Sequence, residues 1–237
     1  MSSQPFPFYP RIPKNKFRAW NEVMFIRYNN ERVYHHSNPF IRFVERKRVQ
    51  AIIKLLAPLS PSDRILAAGC GEGYVENFIP TGLITLVDIS REAITRAKIA
   101  STNLHRKKFL IADLERLPIP SNYFDKIECS EVIEHVYSPA NLLKELRRVL
   151  KPAGFLVITF PNEPLINSIK KILIRFRLFH LFFPNIPPDM TEEWHLRSYD
   201  LVSFQKDSSP YWKISAVKGI PFDLLPLRYV LKCQKSP

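Results

Sequence analysis

Residues 64–88 read RILAAGCGEGYVENFIPTGLITLVD, and Gly69, Gly71 and Gly73 within them are three of the six glycines in the chain. The apolar run Ile65 to Ala68, ending in glycines, reads as a buried parallel strand that turns sharply into a helix. Glycine supplies backbone angles there that a side chain would forbid. A second apolar run, Leu83 to Val87, ends in Asp88, nineteen residues beyond Gly69. Together these form a nucleoside-binding βαβ pattern, in which the acid accepts hydrogen bonds from ribose hydroxyls and the first turn takes up the rest of the ligand. The third glycine comes one residue earlier than in the dinucleotide fingerprint. Glu72 also puts negative charge at a helix N-terminus, where a pyrophosphate would be repelled and a zwitterionic amino-acid tail tolerated. For the glycines alone, an ordinary turn in another α/β protein is the alternative.

The chain has 237 residues, which suits one domain with a sizeable core. Thirty-five Lys and Arg against 22 Asp and Glu leave a net charge of +13, which favours an anionic partner, either nucleic acid or a membrane surface. Cys70, Cys129 and Cys233 are few, odd in number and set in apolar runs. That argues against a disulfide framework or thiolate zinc site and fits a reducing cytoplasm. No apolar run approaches the length of about 18 residues that a spanning helix needs, and the N-terminus lacks the apolar region of a signal peptide. The expectation is a cytoplasmic protein that does not span a membrane.

Pro5, Pro7, Pro10 and Pro13 predict an extended arm over 1–15, within an N-terminal segment reaching residue 39. Phe40 to Leu56 has the period of an amphipathic helix, with Arg46, Lys47 and Arg48 read as solvated. The loop cluster Tyr34-His35-His36 either overhangs the ligand site or has no role. Ser90 is placed to cap a helix through Ala100. Strands are expected at Lys108 to Ile111 and Phe124 to Cys129. Asp113, just past the former, falls at the sheet edge where open α/β folds bind ligands. Glu131, Glu134 and His135 share one face if helical, and can hold a divalent cation, cap a helix or orient ligand groups. Leu165 to Phe183 is periodic, with Leu165, Ile166, Ile169, Ile172, Leu173, Phe176 and Phe179 on one face and Lys170, Lys171, Arg175 and Arg177 on the other. Such a helix serves as a lid, as an interfacial anchor at anionic lipid, or as both. Ser198 is placed to cap a short helix through Phe204, and Tyr211 to Val217 and Leu227 to Cys233 supply the last two strands.

The glycine stretch resembles the first motif of the class I S-adenosylmethionine-dependent methyltransferases. Residues 117–136, LPIPSNYFDKIECSEVIEHV, are similar to the domain that includes the ubiquinone and menaquinone biosynthetic methyltransferases, and the match continues through LLKELRRVLKPAGFLVI at 142–158. The resemblance covers 65–161. It implies an α/β fold: a seven-stranded, mostly parallel Rossmann-like sheet with helices on both faces and a helical lid inserted after strand five at 163–190, in a domain spanning 40–237. The cofactor it implies is S-adenosylmethionine, held by Gly69, Cys70, Gly71, Gly73, Asp88, Ile89, Asp113, Leu114 and Ser130. His135 and His195 are the candidate bases for transfer to a small lipophilic acceptor. In some quinone O-methyltransferases the Glu131, Glu134 and His135 motif binds a metal, but none is assigned here. One departure stands out, because the family usually has an acid two residues before the first glycine and this chain has Ala67. A nucleic-acid methyltransferase and a scaffold that has lost catalysis are the competing readings. The segment 165–183 carries the expected peripheral contact with an anionic membrane.

Overall fold

The computed structural model describes residues 12–28, 38–182 and 194–236. Its strands are β1 (Arg64–Ala68), β2 (Leu83–Asp88), β3 (Lys107–Ile111), β4 (Phe124–Ser130), β5 (Leu150–Pro161), β6 (Trp212–Phe222) and β7 (Leu225–Lys235). They form one seven-stranded sheet in the order β3-β2-β1-β4-β5-β7-β6. β1 to β5 run parallel to one another, and β7 runs antiparallel to both β5 and β6. The order reverses beside β1, and that is where an open α/β sheet leaves a crevice for ligand.

The helices are α1 (Phe17–Arg27), α2 (Pro39–Leu56), α3 (Arg91–Ala100), α4 (Pro139–Val149), α5 (Glu163–Arg175), α6 (Phe179–Phe182) and α7 (Leu201–Ser208). Strands buried on both faces are apolar throughout, and side-chain alternation divides β1 between two cores. Leu66 and Ala68 join the core with Leu142 and Leu146 of α4 and Phe204 of α7. Ile65 and Ala67 join the other, with Val49, Ile52 and Leu56 of α2.

Several elements differ from the sequence-based expectations. The helix expected after the glycine turn is only a 3-10 turn at Val75–Phe78. Pro80 follows, and Ile79 before it is extended, as the residue preceding a proline tends to be. The helix expected over 165–183 is broken: α5 ends at Arg175, Arg177 takes a φ of +56°, and α6 starts afresh at Phe179. The cap of α7 is Asp200 and not Ser198, because Asp200 directly precedes the first turn and accepts from Ser203 N at 2.8 Å in a capping box. Ser90 caps α3 as expected. Helix α1 was not anticipated. It buries Phe17 and Phe25, and its Glu22 accepts from Arg91 N and Glu92 N at the start of α3. The expected arm over 1–15 lies mostly outside the described residues, as do Tyr34, His35 and His36, and Lys14–Lys16 form a 3-10 turn.

Candidate active site

Gly69, Gly71 and Gly73 take φ values of +73°, +51° and +74°, and a Cβ on Gly69 would stand 2.3 Å from Cγ2 of Val132. Glycine at 69 is therefore required by angle and by close approach to the loop after β4. The turn is also tied to the end of β2. Gly69 N and Cys70 N donate to Val87 O at 2.8 and 3.0 Å, and Gly71 N donates to Oδ2 of Asp88 at 2.9 Å. Oδ1 of Asp88 accepts from Ser90 N at 2.9 Å. Glu72, expected to disfavour a pyrophosphate, pairs with Arg96 at 3.0 Å, so that charge is partly neutralised.

Of the expected cofactor residues, Gly69, Cys70, Gly71, Asp88, Ile89, Asp113, Leu114 and Ser130 line one cavity of about 660 Å³ at the carboxyl ends of β1 to β4. Gly73 stands apart from that lining and backs onto Leu86 and Ala97. The same cavity is walled by Ile166, Ile169 and Leu173 of α5, Phe179 of α6, Leu225 and Leu227 of β7, and Phe17 and Phe25 of α1. Lys170 also lines it, which places that cation on the inner side of α5 and not on the outer face expected for it. Phe176, expected on the same face as Ile166, Ile169 and Leu173, is 64% exposed.

The two candidate histidines, sixty residues apart in sequence, meet here. Their rings stand 4.7 Å apart in an edge-on arrangement, and His135 also packs 4.6 Å from the ring of Trp194. Nδ1 of His135 lies 3.3 Å from the Trp194 carbonyl. A carbonyl only accepts, so this nitrogen carries the ring proton and Nε2 is the acceptor. Burial pushes the His135 pKa well below its ordinary value, and the neighbouring His195 adds to the effect. Nδ1 of His195 lies 2.5 Å from Oε1 of Glu163, the buried first residue of α5. That arrangement leaves Nε2 as the nitrogen able to take a proton.

A group of buried charges lies alongside. Arg48, read from sequence as solvated, is 2% exposed and binds Glu45 at 2.8 Å. Arg228 reaches Glu45 at 3.2 Å and also pairs with Glu131, which in turn accepts from Thr159 Oγ1 at 2.8 Å. Burial opposes the charge on Glu45, yet Arg228 and Arg48 hold its pKa below the ordinary value. Glu131 takes a φ of +55°, a strained angle at the end of β4 that these bonds maintain. Burial, with Glu131 close by, raises the Glu134 pKa well above the usual range, and its Oε2 has no hydrogen-bond partner among the described residues. Glu134, His135 and His195 each bring one ligand atom to within 4.8 Å of the others, so the trio able to hold a cation includes His195 in place of Glu131. Glu45, Arg48, Glu163, Trp194 and Arg228 escaped the sequence reading. Only the strand-end motif around Glu131 pointed toward this region.

The comparisons with known proteins agree with this geometry. Residues 66–158 match the methyltransferase domain family. The chain is 31% identical over 117 residues to a probable S-adenosylmethionine-dependent methyltransferase of Mycobacterium tuberculosis, covering 49% of this chain and 42% of that protein. It is 28% identical over 175 residues to the mitochondrial ubiquinone biosynthesis O-methyltransferase of Schizosaccharomyces pombe, covering 71% and 61%. The fold is shared with the N-methyltransferase NodS of Bradyrhizobium japonicum in complex with S-adenosyl-L-homocysteine, at a TM-score of 0.64 and 14% identity over 94% of this chain and 100% of that one. The match thus spans less than two thirds of the length of these two curated relatives.

Residues 66–158 thus match a methyltransferase domain, and the relatives that share it include S-adenosylmethionine-dependent methyltransferases by name, which makes S-adenosylmethionine the cofactor implied for this cavity. The residues fit that cofactor. The glycine cradle would be filled by a Cβ, Asp88 and Asp113 stand at adjacent strand ends, and buried carboxylates in the same cavity suit a cationic ligand.

Proposed function

We propose that the chain methylates a hydroxyl on a small lipophilic acceptor, meeting it at an anionic membrane surface inside the cell. The observation that carries this reading is the single cavity that joins the glycine turn to the apolar side chains of α5, α6 and β7, with the two histidines on its wall. Bound S-adenosylmethionine supplies an activated methyl group. What remains for the chain is to align the acceptor, exclude water and remove the acceptor's proton. In this reading Nε2 of His195 takes it, which is supported by the engagement of Nδ1 by Glu163. His135 is neutral at physiological pH and can accept a hydrogen bond. The indole N–H of Trp194 is buried on the cavity wall with no partner among the described residues, so it can donate to an acceptor oxygen.

The membrane part of the proposal is supported by exposed apolar side chains beside that cavity. Phe40, Phe222 and Leu225 line it while being about half exposed or more, and Leu224 at the β6–β7 turn is 99% exposed. Ile172, Ile174, Phe176, Leu178 and Leu181 are exposed on α5 and in the segment after it, next to the exposed Lys171, Arg175 and Arg177. No helix among the described residues is long and apolar enough to cross a membrane. The test is incubation with S-adenosylmethionine carrying a deuterated methyl group, together with a total lipid extract and total RNA. Label recovered in a lipid species supports the proposal, and label recovered only in RNA overturns it.

A further inference from the structure

The base of the glycine turn holds two buried carboxylates that the site described so far does not use. Glu76, in the 3-10 turn after the glycines, and Glu128, on β4, are each 2% exposed and line the cavity. Both exert their charge on the Cys70 thiol between Gly69 and Gly71, as Asp88 does, so all three acids surround the turn. Oε2 of Glu76 has no hydrogen-bond partner among the described residues. Glu128 accepts from the Ser130 hydroxyl, and neither acid forms an ion pair among the described residues. Arg48 and Lys107 lie within electrostatic reach of Glu76, and Arg48 of Glu128, but the Arg48 guanidinium is bound to Glu45.

Two buried acids side by side are unfavourable unless a cation or a shared proton balances them. Burial, together with the mutual repulsion of the pair, raises the Glu76 pKa to about 8, and burial raises that of Glu128 to about 7. With both acids 2% exposed on the cavity wall and Oε2 of Glu76 unpartnered among the described residues, a cation seated in the cavity beside them would balance the pair. The position of the pair is informative, because Glu128 is the ladder partner of Ala67. Paired residues of parallel strands project from the same face about 4.8 Å apart, so the Glu128 carboxylate shares the space that a side chain longer than alanine at 67 would enter.

We propose that Glu76 and Glu128 form the seat for the α-ammonium group of the cofactor's methionine portion, with Glu128 acting from β4 where β1 offers only Ala67. The inference rests on the assignment of S-adenosylmethionine as cofactor. A primary ammonium fits this cluster better than a metal ion. The pair is flanked by two basic residues within reach, and a single charge that donates three hydrogen bonds suits two carboxylates of which only Glu128 already accepts from the Ser130 hydroxyl. The seat also ties together Ala67, Glu76 and Glu128, to which the glycine motif alone gives no role.

Calorimetry with S-adenosylhomocysteine and with its analogue lacking the α-amino group tests the seat. The wild-type protein should bind the amino-bearing ligand about ten- to a hundredfold more tightly, as expected for a lost charge-assisted hydrogen bond. In Glu128→Gln and in Glu76→Gln, affinity for S-adenosylhomocysteine should fall by a similar factor while affinity for the analogue changes less than about twofold, so that discrimination collapses. Equal wild-type affinity for the two ligands overturns the seat, and this needs no variant to fold. Full discrimination retained in both variants overturns it too. Failure of the wild-type protein to bind either ligand overturns the cofactor assignment itself, a different result from tight binding without discrimination.

Discussion

The backbone N–H of Gly71 donates to Oδ2 of Asp88 across seventeen residues at 2.9 Å, so the acid at the end of β2 holds the glycine turn in shape. Its Oδ1 is bonded to Ser90 N at the head of α3. Burial raises the Asp88 pKa, and those two amide bonds oppose the rise. If Asp88 is also the ribose acceptor that its place at the end of β2 leads us to propose, Asp88→Ala removes that acceptor and loosens the turn together. Affinity for S-adenosylhomocysteine should fall by about 1.5 to 3 kcal/mol or more, roughly ten- to over a hundredfold. Calorimetry reading the same dissociation constant in this variant would remove Asp88 from the cofactor site.

The pairing of Glu163 with His195 predicts a separable defect. His195→Gln should lower the rate of label transfer to lipid by about 10² to 10⁴, the usual worth of a positioned base, with cofactor affinity unchanged. Glu163→Gln keeps a hydrogen-bond acceptor but removes the charge that would stabilise a protonated imidazole, so it should lower kcat less than the His195 change does and move the acidic limb of the pH–rate profile to lower pH. If the Glu163 variant instead lost cofactor affinity while keeping its pH profile, its role would be to anchor α5 and not to orient His195.

Much of the central sheet was legible because its signals are local. Ile65 to Ala68 and Leu83 to Val87 are unbroken apolar runs, and Asp88 and Asp113 each stand where such a run ends. The histidines could be named but not placed, since their meeting depends on residues 194–196 folding back onto the loop after β4, where Leu196 N bonds to Glu134 O at 2.8 Å. Arg48 misled for a physical reason. It sits in the run Glu45-Arg46-Lys47-Arg48, and its burial follows from pairing with Glu45 one turn away, an acid that Arg228 approaches from β7. Glu163 sits in a segment with no motif, and its function comes from a histidine 32 residues later. Helix α1 lacks a clean apolar stripe, so its covering role was hidden as well.

The buried His135 ring has a definite consequence for stability. Its folded pKa lies well below the unfolded value of about 6.5, so as pH falls below that value the unfolded chain takes up a proton that the folded chain does not. Its contribution is complete above about pH 6.5 and is lost progressively as the pH falls below it. Glu76 and Glu128 act in the opposite sense, because their raised folded pKa values favour the folded state as the medium acidifies. The diagnostic quantity is therefore the difference between variant and wild type. The Tm of His135→Gln should rise relative to wild type as pH drops from 7 to 5, and a constant difference across that range would show that His135 is not the neutral buried group described.

The outer surface of α5 and the β6–β7 turn carry the last prediction. Phe43 on α2 lies 6.2 Å, ring to ring, from Phe222, which joins the hairpin tip to the start of α2. Leu224 at that tip is almost fully exposed, and Phe40, Phe222 and Leu225 extend from the surface into the cavity lining. A lipophilic acceptor arriving from a bilayer would then pass over apolar side chains without crossing water, while Lys171, Arg175 and Arg177 face lipid phosphates. Each such cation near an anionic leaflet is worth about 1 kcal/mol, so replacing all three by Gln should weaken vesicle binding on the order of a hundredfold. Leu224→Asp should weaken it further, since it places a charge where insertion buries an apolar side chain. Sedimentation with phosphatidylserine-containing vesicles reads both effects. If the wild-type protein fails to sediment with them and instead binds RNA tightly with steep salt dependence, the basic surface belongs to nucleic acid and the membrane reading falls.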